Sequence, residues 1–329
     1  MTQRAKGALF GLAYGDALGA PTEFLSMTMI AERYGPRGPR ELETGRVTDD
    51  TQMTISVAAA LAGGPLEPVG FAERLRTEFL AWAISPDNDR APGNTCLRAC
   101  ANLGDPGVTW QEATIVGSKG CGANMRVAPV GLVPDLTDDD RAGAAQLQAA
   151  LTHGHPTGLA ASELTAFAVW WLRCGAVAPK ELPAALRERA RSQRRVYRAD
   201  WLGGLWKQSH HPSPEHFVAT GWDECLDALD RLDTALAAGD RDADPCLVTG
   251  SAWVAEEALV TSLLCFLLFP EDPVAAISRG ATSSGDSDSI ACLAGAYAGA
   301  SLGFPAWPSH WENVIEYADD LHRYSSVWD

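Results

Sequence analysis

The sequence predicts an all-α protein, and three observations carry that expectation. Apolar residues recur at helical spacing, as at Phe71, Leu75 and Phe79, and again at Trp222, Leu226, Leu229, Leu232 and Leu236. No run alternates apolar and polar residues in the way of a half-buried strand. The stripes cover the whole chain, with no internal repeat and no low-complexity linker, so residues 1–329 are expected to form one domain.

Composition narrows the class. Among 329 residues, 46% are hydrophobic and 21% charged, the balance of a globular protein with a sizeable core. The formal net charge of −16 argues against a broad phosphate-binding surface and makes nucleic acid a poor partner. It leaves room for an anionic small molecule at a local site. The eight cysteines form no C-x-x-C pair, and no histidine stands at zinc-like spacing from them. They read as small buried hydrophobes in a reducing compartment. The first residues lack the apolar core of a signal peptide, and the apolar run at residues 263–269 is too short to span a membrane. A cytoplasmic enzyme without a membrane partner is the expectation.

Taken in order, residues 4–18 predict a first helix with Leu9, Leu12 and Ala13 on one face. Gly19 and Pro21 end it and leave Glu23 in an irregular segment, either a solvated loop acid or part of a site. Residues 36–40 form a loop, and Phe71 to Phe79 mark an amphipathic helix. A polar loop at residues 85–95 leads into a helix starting near Thr95. Residues 117–126 hold Gly117, Ser118, Lys119, Gly120, Cys121, Gly122, Met125 and Arg126. Three glycines in six residues let backbone N–H groups approach a ligand, and Lys119 and Arg126 add positive charge. The stretch reads either as a diphosphate cradle or as a plain flexible loop; it matches neither the P-loop nor the dinucleotide fingerprint.

His153 and His155 lie between two helical runs, the second marked by Leu164, Phe167 and Trp171. Their spacing does not place them on one helix face. Residues 180–195 are Arg-rich and read as a solvated helix face. The stretch from Thr249 to Trp253 opens a long apolar helix running to Phe269, and residues 311–324 are helical in pattern.

Two acidic stretches stand out. Thr48, Asp49, Asp50 and Thr51 precede the apolar residues 53–61; Asp286, Ser287, Asp288 and Ser289 precede the small-residue segment 290–300. Helix starts favour Thr and Asp because side-chain oxygens accept the unpaired N–H groups of the first turn, and the helix dipole favours acids there. Each is therefore a good cap. If the fold brings both together, however, four carboxylates converge and repel one another unless cations hold them. Thr137, Asp138, Asp139 and Asp140 repeat the same triplet in a setting that reads as an exposed cap, so the triplet alone decides nothing.

The ordered set of Gly15-Asp16 with Glu23, the two acidic helix starts, residues 117–126, Thr152-His153 and Thr249-Gly250 resembles the ADP-ribosylglycohydrolase family. The match runs from residue 7 to about residue 303. The resemblance implies a compact orthogonal helical bundle with a dinuclear Mg²⁺ or Mn²⁺ site. Thr48, Asp49, Asp50, Asp286, Asp288 and Ser289 fall on the family's metal-ligand positions. Glu23 falls on its catalytic or gating glutamate, and Glu23, Asp49 and Asp288 form the implied catalytic set. Gly117, Ser118, Lys119, Gly120, Cys121, Gly122, Met125 and His153 fall on its substrate-contacting positions. Ser287 and Ser289 stand where members often carry Thr; the ligand hydroxyl is kept.

The implied activity is hydrolysis of the bond between ADP-ribose and an acceptor, with ADP-ribose as product. The chain looks most like the dinitrogenase-reductase branch, which points to ADP-ribosyl-arginine on protein. Serine-, O-acetyl- or nucleobase-linked ADP-ribose stay open as acceptors, as does a non-catalytic ADP-ribose-binding protein.

Overall fold

The computed structural model describes residues 2–329. Among these residues the chain is built of helices, thirteen of them eight residues or longer, and contains no strand. In order they are α1 (Arg4–Gly19), α2 (Met27–Tyr34), α3 (Asp49–Ala62), α4 (Pro68–Ala83), α5 (Asn94–Leu103), α6 (Asp138–Ala150) and α7 (Pro156–Cys174). There follow α8 (Leu182–Gln193), α9 (Pro214–Ala238), α10 (Ala255–Leu268), α11 (Pro273–Ala281), α12 (Ser287–Leu302) and α13 (Ala318–Trp328). Two isolated bridges, Ile115 with His153 and Gly120 with Val254, are the extended pairings. None of the helices is long and apolar enough to cross a membrane.

The pair α1 and α12 sets the geometry of everything else. Glycine recurs at every fourth position of α1, at Gly7, Gly11, Gly15 and Gly19, which places all four along one stripe. Facing them are the backbone atoms of Gly299, Gly295, Ala291 and Ser287. A Cβ at Gly11 would lie 2.4 Å from the Gly295 carbonyl oxygen, and one at Gly15 2.0 Å from that of Ala291. The two backbones therefore touch, closer than any larger side chain permits. Another part of α1 is aromatic: the Tyr14 ring lies 5.5 Å from Trp307 and 5.3 Å from Trp311, tilted edge-on to both.

One contiguous apolar core extends from α1 to α13. Phe71, Leu75 and Phe79 of α4 are fully buried in it, each contributing about 1.5–3 kcal/mol of transfer free energy. The stripe on α9 behaves the same way at Trp222, Leu229 and Leu232, while Leu226 and Leu236 are only partly buried.

Several elements differ from the sequence reading. The Arg-rich α8 is not simply solvated. Arg189 places its guanidinium 3.1 Å from the centre of the Phe167 ring and forms an ion pair with the wholly buried Glu163 at 2.7 Å, and Arg198 reaches the same carboxylate at 3.2 Å. Burying Glu163 requires such partners, because an unpaired carboxylate in the core is costly. Thr137 does cap α6, its hydroxyl accepting from the Asp140 N–H at 3.0 Å, but the helix behind that exposed cap is buried from Arg141 to Ala150. The long helix α10 begins at Ala255, after a short turn at Cys246–Thr249. The segment after Trp311 is broken by Tyr317 in the left-handed region at φ 57°, so α13 begins at Ala318. Of the eight free cysteines, Cys174 is exposed and Cys121 is half-buried.

Candidate active site

The α1–α12 contact delivers the first acids. Asp16, near the end of α1, is fully buried and accepts hydrogen bonds from the Thr48 N–H at 3.0 Å and the Thr51 N–H at 3.1 Å, and also from the Thr51 hydroxyl. It thus ties the start of α3 to α1. Thr48 caps α3, its hydroxyl accepting from the Asp50 N–H at 3.2 Å. At the start of α12, the Ser287 hydroxyl donates to the Gly19 carbonyl at 3.0 Å, so the same junction fixes the second acidic helix start. The two starts meet.

Asp49, Asp50, Asp286, Asp288, Ser289 and Glu23 line one cleft of about 220 Å³. Glu23, Asp286 and Asp288 each bring a carboxylate oxygen within 4.8 Å of the others. Glu23 is placed by a 3₁₀ turn, Ala20–Thr22, that continues α1 directly. Thr48 is not among the residues that line the cleft, though it stands beside Asp288 and favours its charged form.

Burial dominates the electrostatics. It pushes the carboxyl of Asp49 up to about 7 and that of Glu23 to about 8, with the charge of Asp288 as the next cause for both. Asp16 is likewise pushed up to about 7 by burial and then by Asp288. Asp50 and Asp286 are raised well above the carboxylate range for the same two reasons, and burial raises Asp288. Five carboxylates in a buried cleft cannot all ionise without compensation. Asp50 Oδ2 and Asp288 Oδ1 are buried and have no hydrogen-bond partner. Carboxylate and hydroxyl oxygens with unused lone pairs fit hard divalent cations. Cys121 Sγ lies 2.8 Å from Asp286 Oδ2, within hydrogen-bond reach of that carboxylate.

The glycine loop is only partly in the cleft. Gly120, Cys121, Gly122, Met125 and His153 line it; Gly117, Ser118 and Lys119 do not. The Lys119 ammonium is held at 2.7 Å by Glu224 and at 2.5 Å by Glu256. Ser118 exchanges a hydrogen bond with Thr95 at 3.0 Å. Arg126 is fully buried, donating to Gln148 and Thr152 with its guanidinium 4.4 Å from the Phe79 ring centre. Neither cation that the sequence offered to a diphosphate faces the cleft. The reason is physical: both sit beside partners that satisfy them more completely. A Cβ at Gly122 would lie 3.0 Å from the His153 ring, so that glycine is required for loop and imidazole to pack. Burial lowers His153 to about 3, which keeps the ring neutral, and its Nδ1 pairs with the Thr152 hydroxyl at 2.8 Å.

Sequence reasoning missed four features of the cleft. Asp16 was quoted in a motif but given no role. Arg90 lines the wall, held by the Val47 carbonyl at 2.7 Å and by Glu316. Gly93, Asn94 and Thr95 also line it at the start of α5, a helix with no side-chain cap and therefore with first-turn N–H groups free to meet an anion. The Gly-Asn-Thr start after Pro92 was the signal available for that. Finally, Phe24 is 73% exposed and stacks on the 46% exposed Trp253, their ring centres 6.4 Å apart at 17°. Trp253 belongs to the cleft wall.

An all-α chain with two acidic helix starts around a cation-ready cleft defines a class of protein. Residues 1–328 match the family model for ADP-ribosylglycohydrolase, and the chain belongs to that family. It is similar to ADP-ribosyl-[dinitrogen reductase] glycohydrolase of Rhodospirillum rubrum, 37% identical over 48% of this chain and 54% of that one. It is also similar to ADP-ribosylarginine hydrolase Tri1 of Serratia proteamaculans, 29% identical over 56% of this chain and 52% of that one. Both matches span about half the length of those relatives. The zebrafish (Danio rerio) ADP-ribosylhydrolase ARH3 is 27% identical over 98% of this chain and 90% of its own. Among solved structures, an ADP-ribosylglycohydrolase-related protein complex shares the fold, with a TM-score of 0.67 at 23% identity, covering 98% of this chain and 96% of that chain.

Proposed function

We propose that this protein hydrolyses the glycosidic bond joining ADP-ribose to an acceptor, and that the acceptor is arginine on an ADP-ribosylated protein. The observation that carries the reading is the convergence of Asp49, Asp50, Asp286, Asp288 and Glu23 on one cleft. The arginine choice rests on similarity to the dinitrogen reductase glycohydrolase and to Tri1, named an ADP-ribosylarginine hydrolase.

Asp49, Asp50, Asp286, Asp288 and Ser289, with Thr48 beside Asp288, are proposed to hold two divalent cations, Mg²⁺ or Mn²⁺. When bound, such cations supply positive charge that fixes ribose hydroxyls and orients a water. The chain's own groups do the rest. The free N–H groups at the start of α5, with Gly120 and Gly122, are proposed to receive the diphosphate, which needs no Lys119 or Arg126. Neutral His153 keeps Nε2 free to contact the ligand while Thr152 holds its other nitrogen. Glu23 is proposed to give a proton to the departing acceptor nitrogen as the anomeric bond lengthens; its burial favours the protonated form. The carboxylate that remains then takes a proton from the incoming water. Inverting and retaining glycosidases need two carboxylates for this work; here one suffices if the bound charge activates the water.

The test is release of ADP-ribose from a panel of defined ADP-ribosylated acceptors, with Mg²⁺ and Mn²⁺ compared. Release from arginine is expected. Release from serine but not arginine overturns the acceptor, and tight ADP-ribose binding with no release from any acceptor overturns the enzyme reading.

A further inference from the structure

A second hollow of about 350 Å³ lies away from the acidic cleft; four arginines, Arg37, Arg40, Arg241 and Arg279, line it together with two acids, Asp242 and Asp272. None of these residues lines the acidic cleft. Four guanidiniums around one hollow are unexpected in a chain with 42 acidic and 26 basic residues. Such a chain has carboxylates to spare, yet among the described residues Arg37, Arg241 and Arg279 have none as an ion-pair partner, and Arg40 reaches only Asp272, at 3.9 Å.

The neighbouring acids are engaged elsewhere. Asp240 accepts from the N–H groups of Asp242 and Ala243, both at 2.9 Å. Asp272 caps α11 through the Ala275 N–H at 2.9 Å. Asp244 accepts from the N–H groups of Cys246 and Ser284. Asp242 lines the hollow and makes no ion pair with its arginines among the described residues.

The site is built as well as charged. Arg279 is buried at its floor and donates to the carbonyls of Arg241 and Asp242, which fixes the 241–242 loop over α11. Its Nε is buried without a hydrogen-bond partner. From the other side, the Ser278 hydroxyl donates to the Arg37 carbonyl at 2.8 Å, so the loop that carries Arg37 and Arg40 is fastened to the same helix. The Arg241 guanidinium lies 5.2 Å from the centre of the Phe269 ring. Three chain segments are thus tied together by side-chain hydrogen bonds to main-chain carbonyls; Arg279 also donates to the Thr282 carbonyl and serves as the brace, while the guanidiniums of Arg37, Arg40 and Arg241 donate to no backbone or side-chain acceptor within hydrogen-bond reach among the described residues. Planar guanidinium forks match phosphate oxygens in pairs, and their weak hydration lowers the cost of desolvating them.

We infer that this hollow binds a phosphate dianion, either inorganic phosphate or the phosphate group of a small phosphomonoester. The inference does not depend on the activity proposed for the acidic cleft. The experiment is isothermal titration, at low ionic strength, of inorganic phosphate and separately of glycerol 3-phosphate into the full, metal-depleted chain. Saturable binding is expected, weakened by about tenfold or more in the Arg37→Gln/Arg241→Gln variant and retained in Asp288→Ala. Equal affinity for both probes identifies free phosphate as the ligand, and tighter binding of glycerol 3-phosphate identifies an ester. Arg40→Gln, an exposed single change, should weaken binding by itself, and thermal melting without phosphate verifies that each variant is folded. No saturable binding of either probe by the parent chain overturns the inference. So does an arginine variant that titrates like the parent, or binding that disappears in Asp288→Ala.

Discussion

The carboxylate of Asp16 is buried under the first turn of α3 and accepts both the backbone N–H and the hydroxyl of Thr51. It also accepts the N–H of Thr48, the residue that caps the same helix. An acid from α1 therefore fixes the orientation of Asp49 and Asp50 without lining the cleft itself. In Asp16→Ala these donors lose their acceptor, at a cost of about 1–3 kcal/mol for each buried group left unpaired. The expected outcome is a lower melting temperature together with Mn²⁺ binding weakened by about 10–100-fold. Asp16→Asn keeps one acceptor oxygen and should lose less of both. Titration of Mn²⁺ into the two variants measures the difference.

Gly15 is a second support of the same junction. A Cβ there meets the Ala291 carbonyl oxygen at 2.0 Å, so α1 and α12 must separate to admit it. Gly15→Ala should destabilise the chain by at least about 1–3 kcal/mol, the usual cost of overpacking, even though alanine is the better helix former. A thermal melt of Gly15→Ala that matches the parent would show that the two backbones do not touch.

The raised carboxyls predict an inverted pH dependence for the metal-free chain. Asp16 and Asp49 at about 7 and Glu23 at about 8 all lie above their values in an unfolded chain. The folded state therefore holds more protons than the unfolded state across that interval, and stability falls as pH rises. It is fully present below the unfolded values, near pH 4, and is lost as pH climbs through 7 to 8. Melting curves of metal-free protein should show this decline, and added Mg²⁺ or Mn²⁺ should raise the melting temperature more at pH 8 than at pH 5.

Lys119 is predicted to matter for stability and not for substrate affinity. Its ammonium is shared by Glu224 and Glu256, and the latter is almost wholly buried. Lys119→Met leaves the Glu256 carboxylate without its counter-charge, a loss of about 1–3 kcal/mol given that Lys119 is itself a third exposed. KM for an ADP-ribosylated acceptor should stay within about threefold of the parent value, a change of well under 1 kcal/mol. A large rise in KM with unchanged stability would put Lys119 back at the diphosphate.

The α-helical class was legible because apolar spacing, as on α4, is imposed directly by burial of one face. The meeting of the two acidic helix starts was legible only through resemblance, since nothing local links residue 48 to residue 286. Yet the sequence held the physical cause. The glycines at 7, 11, 15 and 19 mark a stripe on which another backbone can lie, and the small residues after Ser289 supply that backbone. An apolar-stripe search passes over them because glycine scores as neither polar nor apolar. The partners of Lys119 and Arg126 were not legible, for the opposite reason. Charge type is visible in sequence, but whether Glu224, Glu256 or Gln148 claims that charge depends on long-range packing. The same limit hid Glu163, which converts Arg189 and Arg198 from surface residues into core ones.

The starts of α3 and α12 are proposed to form a single dinuclear cation site. Isothermal titration of Mn²⁺ into the parent chain and into Asp288→Ala tests it most directly, because Asp288 has a buried, unpartnered oxygen and raises nearly every other carboxyl in the cleft. The account predicts saturable binding to the parent chain and none to a folded Asp288→Ala. Mn²⁺ binding of equal affinity and stoichiometry in the two proteins would contradict it.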